Sequence, residues 1–402
     1  MLRRAFVAVA ACMMICAATA ATADESAAPP SAKPLLLAHY MPWFSVSRSA
    51  DDPKSTTWGW HWTMNHFDPH EVNGDRRAIA SHFYPLIGPY DSSDPAVIRY
   101  HLLLMKTAGI DGVIVDWYGL EDFNDYAMLH RNTQTLFESV SAMGMRFAIC
   151  YEDQTIPFLV KAGRLAESQQ VQHAIGEINH IAATWFEDPC YVRVDGRPLL
   201  LSFGDSGLTD EGWRECLSGL RSPVAYFSEH TRRDGAVGAY DWPVPSMGFA
   251  ATERFQSLAK EWKHAIPVAF PRFVDIYADA KVSEGYVRID DWGGETFKRM
   301  LVTANTFDAP SIQIATWNDW GEGTQVEPSR EYGFRDLELL QKFRQRAIDP
   351  GFPAKAADLR LPWLLWKMQQ NEAADAEQIA SIAELIFEAR FEEARVQLQT
   401  TK

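Results

Sequence analysis

Ser311-Ile-Gln-Ile-Ala-Thr-Trp-Asn-Asp-Trp-Gly-Glu-Gly-Thr-Gln-Val-Glu-Pro328 is the stretch on which the fold turns. Its first residues are an apolar, Ile-rich run that reads as a buried parallel strand, and the run breaks at once into Trp317, Asn318, Asp319, Trp320, Gly321, Glu322 and Gly323. A strand that delivers carboxylates and indoles at its carboxyl end is how an α/β barrel builds its chemistry. Asp319 and Glu322 are three residues apart in a turn that its glycines let bend tightly, so the two acids converge. Asn-Asp and Gly-Glu-Gly also serve as plain turn formers. The two tryptophans beside the acids favour a sugar subsite, where an indole face stacks on a pyranose and carboxylates move protons.

Working outward, apolar runs of four to eight residues ending in polar or aromatic breaks recur eight times. They are 35–39, 112–116, 147–151, 198–203, 224–228, 236–240, 267–270 and 311–316. Helical patterns lie between several of them, at 96–108, 124–143, 170–185, 254–263 and 294–303, and eight strands with such helices predict a (β/α)8 barrel over 34–346. A further helix over 334–346 would close it. Two amphipathic helices, 356–369 and 375–399, are expected to form a helical hairpin extension over 347–402.

Side chains at strand ends supply the candidate site. The first strand exits through Tyr40 and Trp43 into an insertion, 45–95, dense in rings that include Trp60, His61 and Tyr90. A loop of that length inside a compact domain is usually functional. The second strand ends Asp116-Trp117-Tyr118, the third runs into Glu152-Asp153, and Glu229 with His230 and Asp241 with Trp242 follow later strands. Because strands alternate inward and outward, only one of Glu152 and Asp153 is expected to face the site. Asp205 and Asp241 read as capping or salt-bridged acids. The candidate substrate-binding set is Tyr40, Trp43, Trp60, His61, Tyr90, Asp116, Trp117, Tyr118, Glu152, Glu229, Trp317, Asn318 and Trp320, with Asp319 and Glu322 as the catalytic pair.

The string Trp-Asn-Asp-Trp-Gly-Glu-Gly-Thr, the run Phe83-Tyr-Pro-Leu-Ile-Gly-Pro-Tyr90 and the element Ala108-Gly-Ile followed by Trp117-Tyr118 resemble glycoside hydrolase family 99 and the wider family 71/99-like group. There the catalytic motif usually reads Asn-Glu-Trp-x-Glu-Gly-Thr. Pro271-Arg272-Phe-Val-Asp275 with Arg288 to Gly294 resembles a further family stretch, with Phe-Pro-Arg in place of a Gly-rich entry. The resemblance spans about 35–346. It implies an endo-acting, retaining α-mannosidase in which one carboxylate deprotonates the sugar 2-hydroxyl, which closes a 1,2-anhydro ring, while a second protonates the leaving oxygen. Carried over by position, Asp319 is that base and Glu322 the acid, and Asp319 departs from the family's Glu by one methylene. An ordinary double-displacement or inverting pair is the alternative mechanism. Alternative functions are an α-1,3-glucanase, by resemblance to family 71, a glycan-binding protein without turnover, and an envelope protein using the C-terminal helices.

Residues 1–23, Met-Leu-Arg-Arg followed by an apolar run and small-residue exits, read as a signal peptide, and 24–33 as a flexible Ala/Ser/Pro lead-in. Export to the periplasm or medium follows. Without the leader 36 basic side chains face 53 acidic ones, and a balance of −17 argues against nucleic acid or an anionic membrane as partner. A neutral glycan is the expected partner, and the mature chain is expected to be a monomer with no membrane span. No Cys-x-x-Cys or His-Glu-x-x-His spacing points to a metal and no cofactor is implied. Three cysteines remain, Cys150, Cys190 and Cys216. A Cys190–Cys216 disulfide is compatible with export but not required by the sequence.

Overall fold

The computed structural model describes residues 33–48, 56–371 and 374–400, so the leader and nearly all of the lead-in lie outside the described residues. Apolar runs with no charge in their middles can bury both faces only inside a parallel sheet covered by helices. That is what forms: β1 Leu35–Tyr40, β2 Gly112–Trp117, β3 Arg146–Tyr151, β4 Arg197–Ser202, β5 Ala225–Glu229, β6 Gly238–Tyr240, β7 His264–Ile266, β8 Val268–Ala269 and β9 Ser311–Ile314. They run in the order β7-β6-β5-β4-β3-β2-β1-β9-β8, every neighbour parallel. β7 and β8 are one stave interrupted at Pro267, which has no N–H to give the ladder. Its carbonyl still accepts from Gln313 N at 3.0 Å. The sheet therefore closes as the expected barrel, with the seventh stave starting three residues earlier than the apolar run indicated.

The covering helices are α1 Pro95–Ala108, α2 Tyr126–Ala142, α3 Gln170–Trp185, α4 Asp210–Gly219, α5 Phe249–Ala259, α6 Glu295–Ala304 and α7 Arg335–Phe343. α1 begins at an Asp94 cap that accepts from Ala96 N at 2.8 Å, with proline in its first turn. α4 was not expected, although Thr209 caps it and Asp210 and Glu211 favour its first turn. α5 begins five residues before the predicted 254.

The C-terminal segment corrects the hairpin. It holds α8 Arg360–Gln369, α9 Ala376–Phe387 and α10 Phe391–Thr400, because the chain turns at Ala389 with φ 60°. The turn folds Phe391 and Ala394 back onto the core of Leu361, Leu365, Ile382 and Ile386, which also takes in Leu103 of α1. A continuous helix would have carried Phe391 past that core. Among the described residues no helix is long and apolar enough to cross a membrane.

Candidate active site

Trp317 to Gly323 leaves β9 as a loop clasped at its base. Thr316 N donates to Thr324 O at 3.1 Å, and the two threonine hydroxyls pair at 3.0 Å. Val274 N and Ile276 N, from the chain after β8, donate to the carbonyls of Glu322 and Gly321 at 2.8 and 2.9 Å. Gly323 must be glycine: its φ is 69°, and a Cβ there would lie 2.4 Å from the Val274 carbonyl oxygen. The tight turn expected of these glycines is thus observed.

Asp319 lines a cavity of about 380 Å³ together with Trp43, Trp60, His61, Tyr118, Tyr277 and Tyr286. His61 stacks on Trp43 with ring centres 4.2 Å apart and planes 8° from parallel. Trp60 and Tyr286 stay 41% and 60% exposed on the lips. Tyr277 and Tyr286 come from the chain after β8 and were absent from the sequence reading. No periodic signal marks that segment, only a pair of tyrosines among small and acidic residues.

The acids crowd one another. Burial first, then the charge of Asp116, pushes Asp319 up to about 7, against an opposing hydrogen bond from Glu322 N to its Oδ1 at 2.9 Å. Glu322 lies well above the usual carboxylate range because of burial and then the Asp319 charge, with Asp275, Asp116 and Glu152 adding to it. Its Oε2 is buried with no hydrogen-bond partner among the described residues. Glu152 and Glu229 are raised by burial as well. Asp116 is held by His39 Nδ1 at 3.0 Å, and the other nitrogen of that ring meets Gln313 Oε1 at 3.0 Å. His39, Asp116 and Cys150 place one ligand atom each within 4.8 Å of one another, but both His39 nitrogens are already engaged.

A raised acid carries a stability consequence. Between an unfolded value of 3.8 and about 7 the folded protein holds the Asp319 proton that the unfolded chain has lost. Stability therefore falls as pH rises through that window. The denaturation midpoint should drop between about pH 4 and 7, and Asp319→Asn should flatten the drop; an equal slope in the variant would contradict the shift.

Several predicted residues are placed elsewhere. Strand alternation sends Tyr40 and Trp117 outward while His39 and Asp116 point in. Tyr40 bonds His101 Nδ1 at 2.9 Å, and the Trp117 indole donates to His130 Nδ1 at 3.2 Å. Trp317 and Trp320 have no exposed surface, so neither presents a face to a sugar. Trp320 Nε1 and Tyr90 Oη donate to Glu327 Oε2 at 3.2 and 2.7 Å, His101 Nε2 meets Glu327 Oε1 at 3.0 Å, and Asn318 bonds both backbone groups of Met41. Tyr40, Tyr90, Trp117, Trp317, Asn318 and Trp320 thus brace the site from behind rather than line it. Of the adjacent pair, Asp153 turns away to accept from Leu208 N and Trp213 Nε1 at 2.8 and 3.0 Å, which leaves Glu152 to the cluster. Asp205 is exposed, and Asp241 is buried beside His230. Cys150, Cys190 and Cys216 are free thiols.

Buried acids of raised proton affinity beneath half-exposed rings, at the carboxyl ends of barrel strands, are equipment suited to breaking a glycosidic bond. The Glycosyl hydrolase family 99 model matches residues 33–223, which cover β1 to β4 and stop before Asp319 and Glu322. A mouse glycoprotein endo-alpha-1,2-mannosidase-like protein is 25% identical over 326 residues, 72% of this chain and 65% of that protein. A Xenopus laevis glycoprotein endo-alpha-1,2-mannosidase is 21% identical over 62% of this chain and 59% of its own length. The chain thus spans just under two thirds of these relatives. The solved GH99 endo-alpha-mannosidase of Bacteroides thetaiotaomicron shares the fold with a TM-score of 0.58 at 19% identity, covering 77% of this chain and 97% of that one. The chain is thus similar to glycoside hydrolase family 99 over residues 33–223 and shares its barrel fold.

Proposed function

We propose that the chain is an exported hydrolase of α-mannosidic glycans, endo-acting and retaining, with Asp319 and Glu322 as its working acids. The observation that carries the reading is their shared loop: they lie three residues apart, with Asp319 pushed up to about 7 and Glu322 held well above the usual carboxylate range by burial and the Asp319 charge. Near neutral pH an ionised Asp319 can accept a proton, and its charge disfavours loss of the Glu322 proton, which leaves Glu322 able to donate one. In the forward step Asp319 takes the proton of the sugar 2-hydroxyl as its oxygen closes on C1, and Glu322 gives its proton to the departing glycosidic oxygen. Glu322, now ionised, then draws a proton from water as that water opens the anhydro ring, and Asp319 returns its proton to the 2-oxygen. Tyr118 and Tyr277, held protonated by burial and the neighbouring carboxylates, are hydroxyl donors at the cavity wall. The similarity to endo-mannosidases supports the choice of sugar, and the exposed lips at Trp60 and Tyr286 support internal cleavage of a chain. Export is supported by the leader-like residues 1–23.

The test is product release from a panel of α-mannans, α-1,3-glucans and other polysaccharides. Oligosaccharides released from α-mannan are expected; release from α-1,3-glucan alone, or binding without release from any, would overturn the substrate or the activity. The departure at Asp319 gives a second expectation. Its Oδ1 holds the Glu322 N–H, a short-range turn that a longer side chain would not keep. Asp319→Glu should therefore lower kcat by up to about 10²-fold, the scale of an ångström misplacement. A rise in kcat would show that the loop is not built around aspartate.

A further inference from the structure

We propose that the chain carries a second saccharide-binding site, separate from the carboxylate cavity and built jointly by the insertion after β1 and helix α8. A cavity of about 660 Å³ lies between them, with Trp58, Arg77, Tyr90, Asp91, Trp366 and Gln370 in its walls. That volume is in the range of small-molecule sites. It takes no part in the mechanism above, and it is where the C-terminal extension adds side chains to a cavity of the barrel domain.

The wall chemistry selects a neutral sugar. Trp58 and Trp366 are both half-buried indoles, each backed on one side: Trp366 by Tyr100, ring centres 6.3 Å apart, and Trp58 by the Arg77 guanidinium 5.4 Å from its ring. Rings held this way can take the C–H face of a pyranose without first being ordered. Trp58 Nε1 is buried with no acceptor among the described residues, an unpaired donor that a hydroxyl oxygen would satisfy. Arg77, Asp91 and Gln370 offer planar polar ends suited to neighbouring hydroxyls. Asp91 is already fixed, accepting from Val46 N at 2.7 Å and Ser93 N at 2.8 Å. One arginine against Asp91 and Asp94 leaves the lining slightly negative, which disfavours a phosphate or an acidic glycan.

The two cavities share a wall. Phe44 lines the first, Tyr90 the second, and Trp62 packs against both with ring centres 4.2 and 5.5 Å away. Only the ligand's class, a glycan, rests on the reading above; the site does not depend on hydrolysis.

The experiment compares full-length Glu322→Gln with Glu322→Gln/Trp366→Ala by affinity electrophoresis in α-mannan and in α-1,3-glucan. In parallel, Trp366→Ala alone is assayed on a short α-mannoside oligosaccharide. Loss of the indole should weaken retention in one polysaccharide about five- to tenfold, the scale of one ring contact. Trp366→Phe should restore most of it, and oligosaccharide cleavage should stay within twofold of the parent. Equal retention of parent and variant, including no retention of either, overturns the proposal. So does an equal loss on the oligosaccharide, which would make the effect structural. Retention that depends on Trp366 in a protein that cleaves nothing would keep the second site and remove the hydrolase reading. Gln370→Ala, an exposed position on the same wall, reads the same contrast should Trp366→Ala fail to fold.

Discussion

Glu322→Gln should lower turnover by about 10²- to 10⁴-fold, the usual worth of a positioned proton donor, while leaving glycan binding close to that of the parent. Glutamine keeps the shape and the loop contacts made by the backbone of this residue, the Glu322 N–H on Asp319 and its carbonyl on Val274 N. What it cannot do is release a proton to the leaving oxygen. Substrates whose leaving group needs no proton, such as an activated aryl glycoside, should therefore be spared most of the loss. The pH profile of the parent follows from the same pair. Cleavage should rise as Asp319 ionises through about pH 7 and fall again when Glu322, held protonated by burial and the Asp319 charge, loses its proton. The alkaline fall should vanish in Glu322→Gln on the aryl substrate. A variant that cleaves polysaccharide undiminished would remove Glu322 from the mechanism.

The second large effect is on stability and arises away from the chemistry. Arg272 is buried, its guanidinium paired with Asp336, donating to the Gln325 carbonyl at 3.0 Å and lying 3.9 Å over the Tyr332 ring. Asp336→Ala strands that cation in the interior and should cost about 3–5 kcal/mol, read as a shift in denaturant midpoint. Arg272→Met/Asp336→Leu, which removes both charges together and keeps apolar volume, should recover much of the loss. A single variant as stable as the parent would show that water or another acid reaches Arg272. Because the Gln325 carbonyl that Arg272 holds directly follows the loop of Asp319 and Glu322, the double variant should also lower activity.

How far the sequence could be read depended on whether a residue's role was local. The barrel was legible because buried parallel strands must be apolar along their length, and Ile312 and Ile314 announce that whatever surrounds them. Asp319 and Glu322 were legible because their spacing and glycines are local facts. The indoles were not. Trp317 and Trp320 each come two residues before an acid of the candidate pair, yet whether a ring looks into a cleft or is sealed behind it depends on Tyr90 and His101, which arrive from far along the chain to meet Glu327. Strand parity separated Glu152 from Asp153, but the same alternation sends Trp117 outward between Asp116 and Tyr118, against the expectation that all three line the site. Tyr277 and Tyr286 were missed because an irregular segment has no period to read, and the C-terminal break was missed because Phe387-Glu-Ala-Arg-Phe391 contains no residue that forbids a helix.

The most direct test of the central claim is the anomeric configuration of the first product formed from α-mannan, followed by NMR before mutarotation scrambles it. Asp319 and Glu322 working through the sugar's own 2-hydroxyl predict that the α configuration is retained, because two displacements at C1 occur in turn. A β product formed first would mean a single displacement by water, and would contradict the roles assigned to both acids.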